Sequence, residues 1–118
     1  MGITLSHSDV VNEIVRCFQN RDLEGFSKHL HDEFTWIQKD GSVLVDGLNS
    51  FKKMINELWA SNPMLKNETS ECIEIGNLVA HTELFTGYQD GHTEKSLWVY
   101  EFDGNLIRYM YGYQPTID

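Results

Sequence analysis

The chain has 118 residues, of which 41% are hydrophobic and 23% charged, ordinary proportions for one globular domain. Its 9 basic residues stand against 18 acidic ones, a net charge of −9. That sign repels phosphate backbones and anionic lipid surfaces, so nucleic acid and membrane are excluded as expected partners, while neutral and cationic small molecules stay open.

No run approaches the ~18 apolar residues of a membrane span. The N-terminus lacks the basic-then-apolar order of a signal peptide. Met1-Gly2-Ile3-Thr4-Leu5-Ser6 matches a myristoylation pattern, but no basic patch supplies the second signal that stable anchoring needs.

Ser6 and Asp9 have the spacing of a helix cap, and Val10, Val11, Ile14, Val15 and Phe18 follow at helical period. This predicts a first helix ending near Asn20. Asp22 is placed to cap a short second helix with Leu23, Phe26 and Leu30 inward. His29 to Glu33 reads as a polar exit. It resembles a metal cluster, but a helix exit does not converge three or four ligands, so no metal is expected.

Phe34 to Gln38 reads as a strand with Phe34, Trp36 and Gln38 on one face. Lys39-Asp40-Gly41-Ser42 is a hairpin turn, and Val43-Leu44-Val45 returns. A third helix follows Gly47, with Leu48, Phe51, Met54, Ile55, Leu58 and Trp59 as its apolar stripe.

Beyond Lys66 the turn pairs Gly76-Asn77, Asp90-Gly91 and Asp103-Gly104 divide four strands, about residues 66–75, 78–88, 93–102 and 105–114. Helices early and hairpin-linked strands late predict an α+β fold with a mostly antiparallel sheet. Asn67-Glu68-Thr69 is a glycosylation sequon that matters only in a secreted chain. Cys17 and Cys72 are far apart and form no CxxC pair. They fit a reducing, cytoplasmic compartment and read as small buried hydrophobes.

The last strands are apolar on both faces. Trp98, Tyr100 and Phe102 oppose Leu97 and Val99, while Tyr109, Tyr111 and Tyr113 oppose Arg108, Met110 and Gly112. One face is therefore expected to meet helices and a pocket, the other a second subunit in a homodimer. The alternative is that the tyrosines decorate an exposed sheet.

This order of elements resembles the nuclear transport factor 2-like superfamily, within it the SnoaL-like proteins and ketosteroid isomerases. Three stretches carry the resemblance: Asp22-Leu23-Glu24-Gly25-Phe26 running into Leu30 to Trp36, Gly47 with Phe51, and Tyr100 to Ile107. It implies one SnoaL-like domain over residues 1–118 and a cone-shaped curved sheet with the N-terminal helices on its concave side. It also implies a pocket between them and, commonly, a homodimer through the outer face. Members include isomerases, polyketide cyclases, dehydratases, epoxide hydrolases and proteins with no chemistry.

The ketosteroid isomerase acids do not carry over. Their helix-one tyrosine falls at Ile14, their general-base aspartate at Gln38 and their proton-donating aspartate at Trp98. None of these can do the original work at neutral pH. The match does imply that Gln38 and Trp98 face one cavity, Gln38 orienting a carbonyl and Trp98 stacking on a ring.

His81 and Glu83, two apart on a strand, point the same way, and a carboxylate beside an imidazole makes an acid–base pair. The bland reading is a polar pair on a wet or dimer-facing surface. Trp36, Trp98 and Tyr100 are candidate pocket walls. Met110 and Arg108 share a face that the resemblance turns inward, where Arg108 would hold a carboxylate ligand; the alternative is an end-of-strand charge in solvent. His92, just after a turn, is expected to be exposed.

No phosphate loop, nucleophile elbow or cofactor fingerprint is present, so no cofactor is expected. The function read from the sequence is a small-apolar-ligand pocket protein. It would act as a cofactor-free isomerase, cyclase, dehydratase or hydrolase, or alternatively as a non-catalytic binding or sensing module, or a dimeric interaction domain with a filled cavity.

Overall fold

The computed structural model describes residues 5–114 and 116–117, the last two by backbone alone. Most of the Met1-Gly2 myristoylation pattern lies outside the described residues.

Helix α1 spans His7–Gln19. Ser6 Oγ accepts from Asp9 N at 3.1 Å, and Ser6 N donates back to Asp9 Oδ2 at 3.2 Å, which closes the expected capping box. Helix α2 spans Leu23–Ser27, with Gly25 N donating to Asp22 Oδ1 at 2.9 Å. Strands β1 (Leu30–Gln38) and β2 (Val43–Asp46) form the first hairpin. Helix α3 spans Leu48–Ser61 and buries Phe51 and Ile55; Leu48, Met54, Leu58 and Trp59 are half-buried against the core.

Strands β3 (Lys66–Ile75), β4 (Leu78–Thr86), β5 (Thr93–Asp103) and β6 (Leu106–Tyr113) are the expected meander. The sheet order is β2-β1-β6-β5-β4-β3, antiparallel except where β1 lies parallel to β6. A short β7 (Thr116–Ile117), not foreseen from the sequence, pairs with the start of β5.

Three expectations change. His31 to Glu33 are not a polar exit but part of β1, because β6 captures the chain earlier: Ile107 N donates to His29 O at 2.9 Å. Cys72 is exposed on β3, and only Cys17 is buried; β3 is an edge strand of the described sheet, and most of its residues beyond Thr69 are exposed.

The third change is a bulge in β6. Glu101 pairs with Tyr109, but Phe102 already pairs with Ile107. Arg108 is the extra residue, so Ile107 and Met110 both point into the core and Arg108 turns away.

Bulges bend a strand and strengthen its twist. Register shifts also occur in β1 against β2 and β6, and in β3 against β4. The sheet thus curves around α1 and α3, and the inward residues of β4 and β5 (Val79, Phe85, Trp98, Tyr100 and Phe102) meet Val11, Ile14, Phe18 and Phe51 in one apolar cluster.

Candidate functional site

The core between α1, α3 and the sheet is not filled. A cavity of about 310 Å³ remains there. Ile14 and Phe18 from α1 and Met54, Ile55 and Leu58 from α3 form its roof, and Trp36, Phe85, Trp98, Tyr100 and Met110 form its sheet wall. Gly112 makes the corner of that wall. A Cβ there would stand 2.8 Å from Trp98 Cε3 and 3.0 Å from Trp36 Nε1, so only glycine lets the two indoles close to a centroid distance of 5.2 Å.

Glu83 opens into this cavity from β4 and is only 6% exposed. Its Oε2 accepts from Asn67 Nδ2 at 2.8 Å. Its Oε1 takes no hydrogen bond and lies 3.5 Å from His81 Nε2. Burial pushes the Glu83 carboxyl up to about pKa 7, against the smaller opposing pull of the Asn67 donor. A group at that value carries a proton half of the time at neutral pH.

His81 is 1% exposed and lies behind the cavity wall, not in it. Its Nε2 is 3.1 Å from Tyr100 Oη, its ring stacks on the Tyr100 ring at 5.1 Å, and Thr69 Oγ1 is 3.5 Å from Nδ1. Burial lowers its pKa to about 4, so the imidazole is neutral at pH 7. The 3.5 Å contact with Glu83 is therefore not an ion pair: the imidazole is neutral throughout the neutral range, and the carboxyl goes from protonated to ionised across about pH 7. The Tyr100 hydroxyl is driven up by burial and stays protonated.

The structure thus brings Glu83, Trp36, Trp98, Tyr100 and Met110 together around one space, with His81 behind them. Gln38 is not among them. It is exposed at the end of β1, and Ser42 Oγ of its own hairpin donates to its Oε1 at 3.0 Å. Arg108 is also outside: its guanidinium donates to Glu33 O and to Thr35 Oγ1 at 3.2 Å and lies over the Tyr109 ring.

Four lining residues were not assigned to a site from the sequence. Asn67 is buried at 3%, which takes its sequon side chain away from the surface. Tyr88, His92 and Glu94 line the same cavity from the β4–β5 connection and the start of β5. His92 is not exposed but half-buried, stacked on Tyr88 at 4.1 Å and in contact with Asp90. The Asp90 hydrogen bond raises its pKa. Glu94 accepts from Tyr88 Oη at 3.3 Å, Ser96 Oγ at 3.3 Å and Gln114 Nε2 at 2.8 Å. Alternation alone puts Glu94 on the face of Trp98 and Tyr100, a signal legible in the sequence.

A half-barrel of this topology, with helices over a concave face and a cavity between, defines the nuclear transport factor 2-like class. The chain belongs to the SnoaL-like domain family, whose model matches residues 11–110. No curated protein matches the sequence.

Among solved structures, an uncharacterised cystatin-fold protein from Novosphingobium aromaticivorans aligns with TM-score 0.86 at 16% identity, over 93% of this chain and 99% of that one. A nuclear transport factor 2-like protein of unknown function from Cytophaga hutchinsonii aligns with TM-score 0.81 at 16% identity, over 98% of this chain and 95% of that one. A Mycobacterium tuberculosis protein in complex with estradiol-17beta-hemisuccinate aligns with TM-score 0.76 at 21% identity, over 92% and 94%. At these identities the likeness is one of fold.

Proposed function

We propose that the chain holds a small, largely apolar molecule in this cavity and that Glu83 is its acid–base group. The observation that carries the reading is Glu83 itself: a buried carboxyl in an otherwise mostly apolar wall, with one oxygen free of hydrogen bonds. A carboxyl poised near pKa 7 both takes and returns a proton. That suits cofactor-free isomerisation, cyclisation, dehydration or hydrolysis. Trp36, Trp98 and Met110 pack on the ligand, the Tyr100 hydroxyl orients it, and His81 acts as a positioning residue through Tyr100 and Glu83. The estradiol derivative bound by the mycobacterial neighbour supports a ring-sized ligand.

A second reading, a binding or sensing module without turnover, is favoured by Ile14 and Trp98. They stand in the cavity wall where the ketosteroid isomerase resemblance puts two acidic donors. We further take residues 1–118 as one cytoplasmic domain that pairs with a second copy through the outer sheet face, where Leu84, Leu97 and Tyr113 are exposed. Among the described residues no helix is long and apolar enough to cross a membrane.

A thermal-shift screen against steroids, aromatic polyketide-like rings, terpene epoxides and small carboxylic acids tests the reading. A ligand at ~100 times its Kd adds about 2.7 kcal/mol. A stabilising ligand that the protein also converts, with conversion lost in Glu83→Gln, supports the enzyme. Stabilisation without conversion supports the binding module. No stabilisation by any class leaves the interaction domain.

A further inference from the structure

We propose that the molecule held in this cavity is a protonated lipophilic amine, an apolar ring body carrying an ammonium group that docks on Glu83. The inference rests on the pocket reading above and adds the charge of the ligand.

Five features point the same way. Glu83 Oε1 has no hydrogen-bond donor, although its side chain is more than nine-tenths buried and lines the cavity. Beside it Asn67 Oδ1 also lacks a donor. Two acceptors without donors are answered by a ligand group that donates, and an ammonium carries up to three N–H bonds and no acceptor.

Glu94 is a second carboxyl on the same cavity, on the same face of β5 as Ser96, the register partner of Glu83, and two residues from it. Among the described residues no lysine or arginine lines the space. Arg108 is turned out by its bulge, and the one basic ring, His92, is already engaged by Asp90 and by Glu94 at 3.7 Å. An anionic ligand would meet uncompensated carboxyls there.

Trp36, Trp98, Phe85 and Tyr88 supply aromatic surface for a cation. The net charge of −9 also draws cations toward the mouth. The groups that face Glu83 are His81 on its own strand, Tyr100 and Glu94 on β5, Asn67 and Thr69 on β3, and Tyr88 and His92 at the connection. His81 is held neutral by burial, and the charge of His92 is taken up by Asp90 and Glu94, so Glu83 has no cationic partner of its own among the described residues.

The test uses three matched probes: naphthylmethylamine, naphthylmethanol and naphthoate. At about pH 8, where Glu83 is ionised, the amine is expected to bind about tenfold or more tighter than the alcohol, with naphthoate weakest. Below about pH 7 its affinity falls by up to about tenfold per pH unit, while that of the alcohol stays level. Glu83→Gln removes the advantage of the amine over the alcohol, so that the two bind alike.

Calorimetry on the unmutated protein at about pH 6, in two buffers of different ionisation enthalpy, gives an independent reading. The amine releases a proton on binding, and the alcohol releases none. Equal affinity for amine and alcohol, or strongest binding of naphthoate, overturns the amine inference and leaves the pocket standing. Binding of none of the three overturns both.

Discussion

His81 and Glu83, two residues apart on β4, bring Nε2 and Oε1 to 3.5 Å with both side chains shut away from bulk solvent. Burial moves their pKa values in opposite directions, to about 4 and about 7, and this produces a compensated pH dependence.

Folded Glu83 keeps its proton up to about pH 7, whereas the unfolded residue loses it near 4.5, so its contribution is full below 4.5 and is lost as pH rises through 7. Unfolded His81 binds a proton below 6.5 and the folded residue only below about 4, so its contribution is full above 6.5 and is lost as pH falls through 4. Between 4.5 and 6.5 the two slopes cancel. Urea titrations should find the wild type nearly flat there. Glu83→Gln should leave only a loss toward acid, and His81→Asn only a loss toward neutral, each up to about 3 kcal/mol. A steep wild-type slope in that window would sink the assignment.

Asn67 is the hydrogen-bond donor to Glu83 at 2.8 Å. Replacing it with leucine removes a bond that favours the ionised carboxyl. The Glu83 pKa, followed by carboxyl carbon NMR, is expected to rise further. Stability should drop by about 1–3 kcal/mol more at alkaline than at acid pH. An equal loss at both would mean that the bond does not discriminate between protonation states.

Gly112→Ala places a methyl against Trp98 and Trp36. Overpacking of this kind costs about 1–3 kcal/mol. The displaced indoles should also alter the tryptophan fluorescence and weaken naphthylmethanol binding. Unchanged stability and fluorescence would show that the wall yields at no cost.

Gln38→Ala and Arg108→Ala lie outside the cavity and should leave the affinity for naphthylmethanol within about twofold, while Trp98→Ala should abolish it. Loss of binding in Gln38→Ala would place the ligand at the exposed end of β1 instead.

Leu97 projects from the outer sheet face at 44% exposure, near Leu84 and Tyr113. If two copies pair there, Leu97→Glu halves the mass found by sedimentation without unfolding the chain, because a buried charge without a partner is costly. A wild type that sediments as a monomer at all concentrations would end the dimer reading.

The α+β class, the three helices and the turns of the meander were legible from local signals. Ser6 and Asp9 really cap α1, Asp22 caps α2, and Asp103-Gly104 really turns the chain. That Trp98 and Tyr100 share one face, and His81 and Glu83 another strand's common face, followed from period two, because alternation is a property of the strand itself; which side that face took did not. Arg108 and Gln38 were misplaced for a reason that period two cannot see. A bulge is a mismatch between two strands, so Arg108 leaves the inner face only because Phe102 pairs with Ile107. Gln38 keeps its parity, paired with Gly112 as Trp36 is with Met110, yet it lies at the exposed end of β1.

What this sequence determined by itself is its elements, their caps, the apolar faces and the sign of the charge, all set by neighbours a few residues away. The tertiary structure alone decided that His81 stands behind the wall while Glu83 stands in it. It alone also brought Asn67, Tyr88, His92 and Glu94 to the same space and left that space unfilled. Burial and cavity volume depend on how distant strands curve around a helix, and no local pattern encodes the gap they leave.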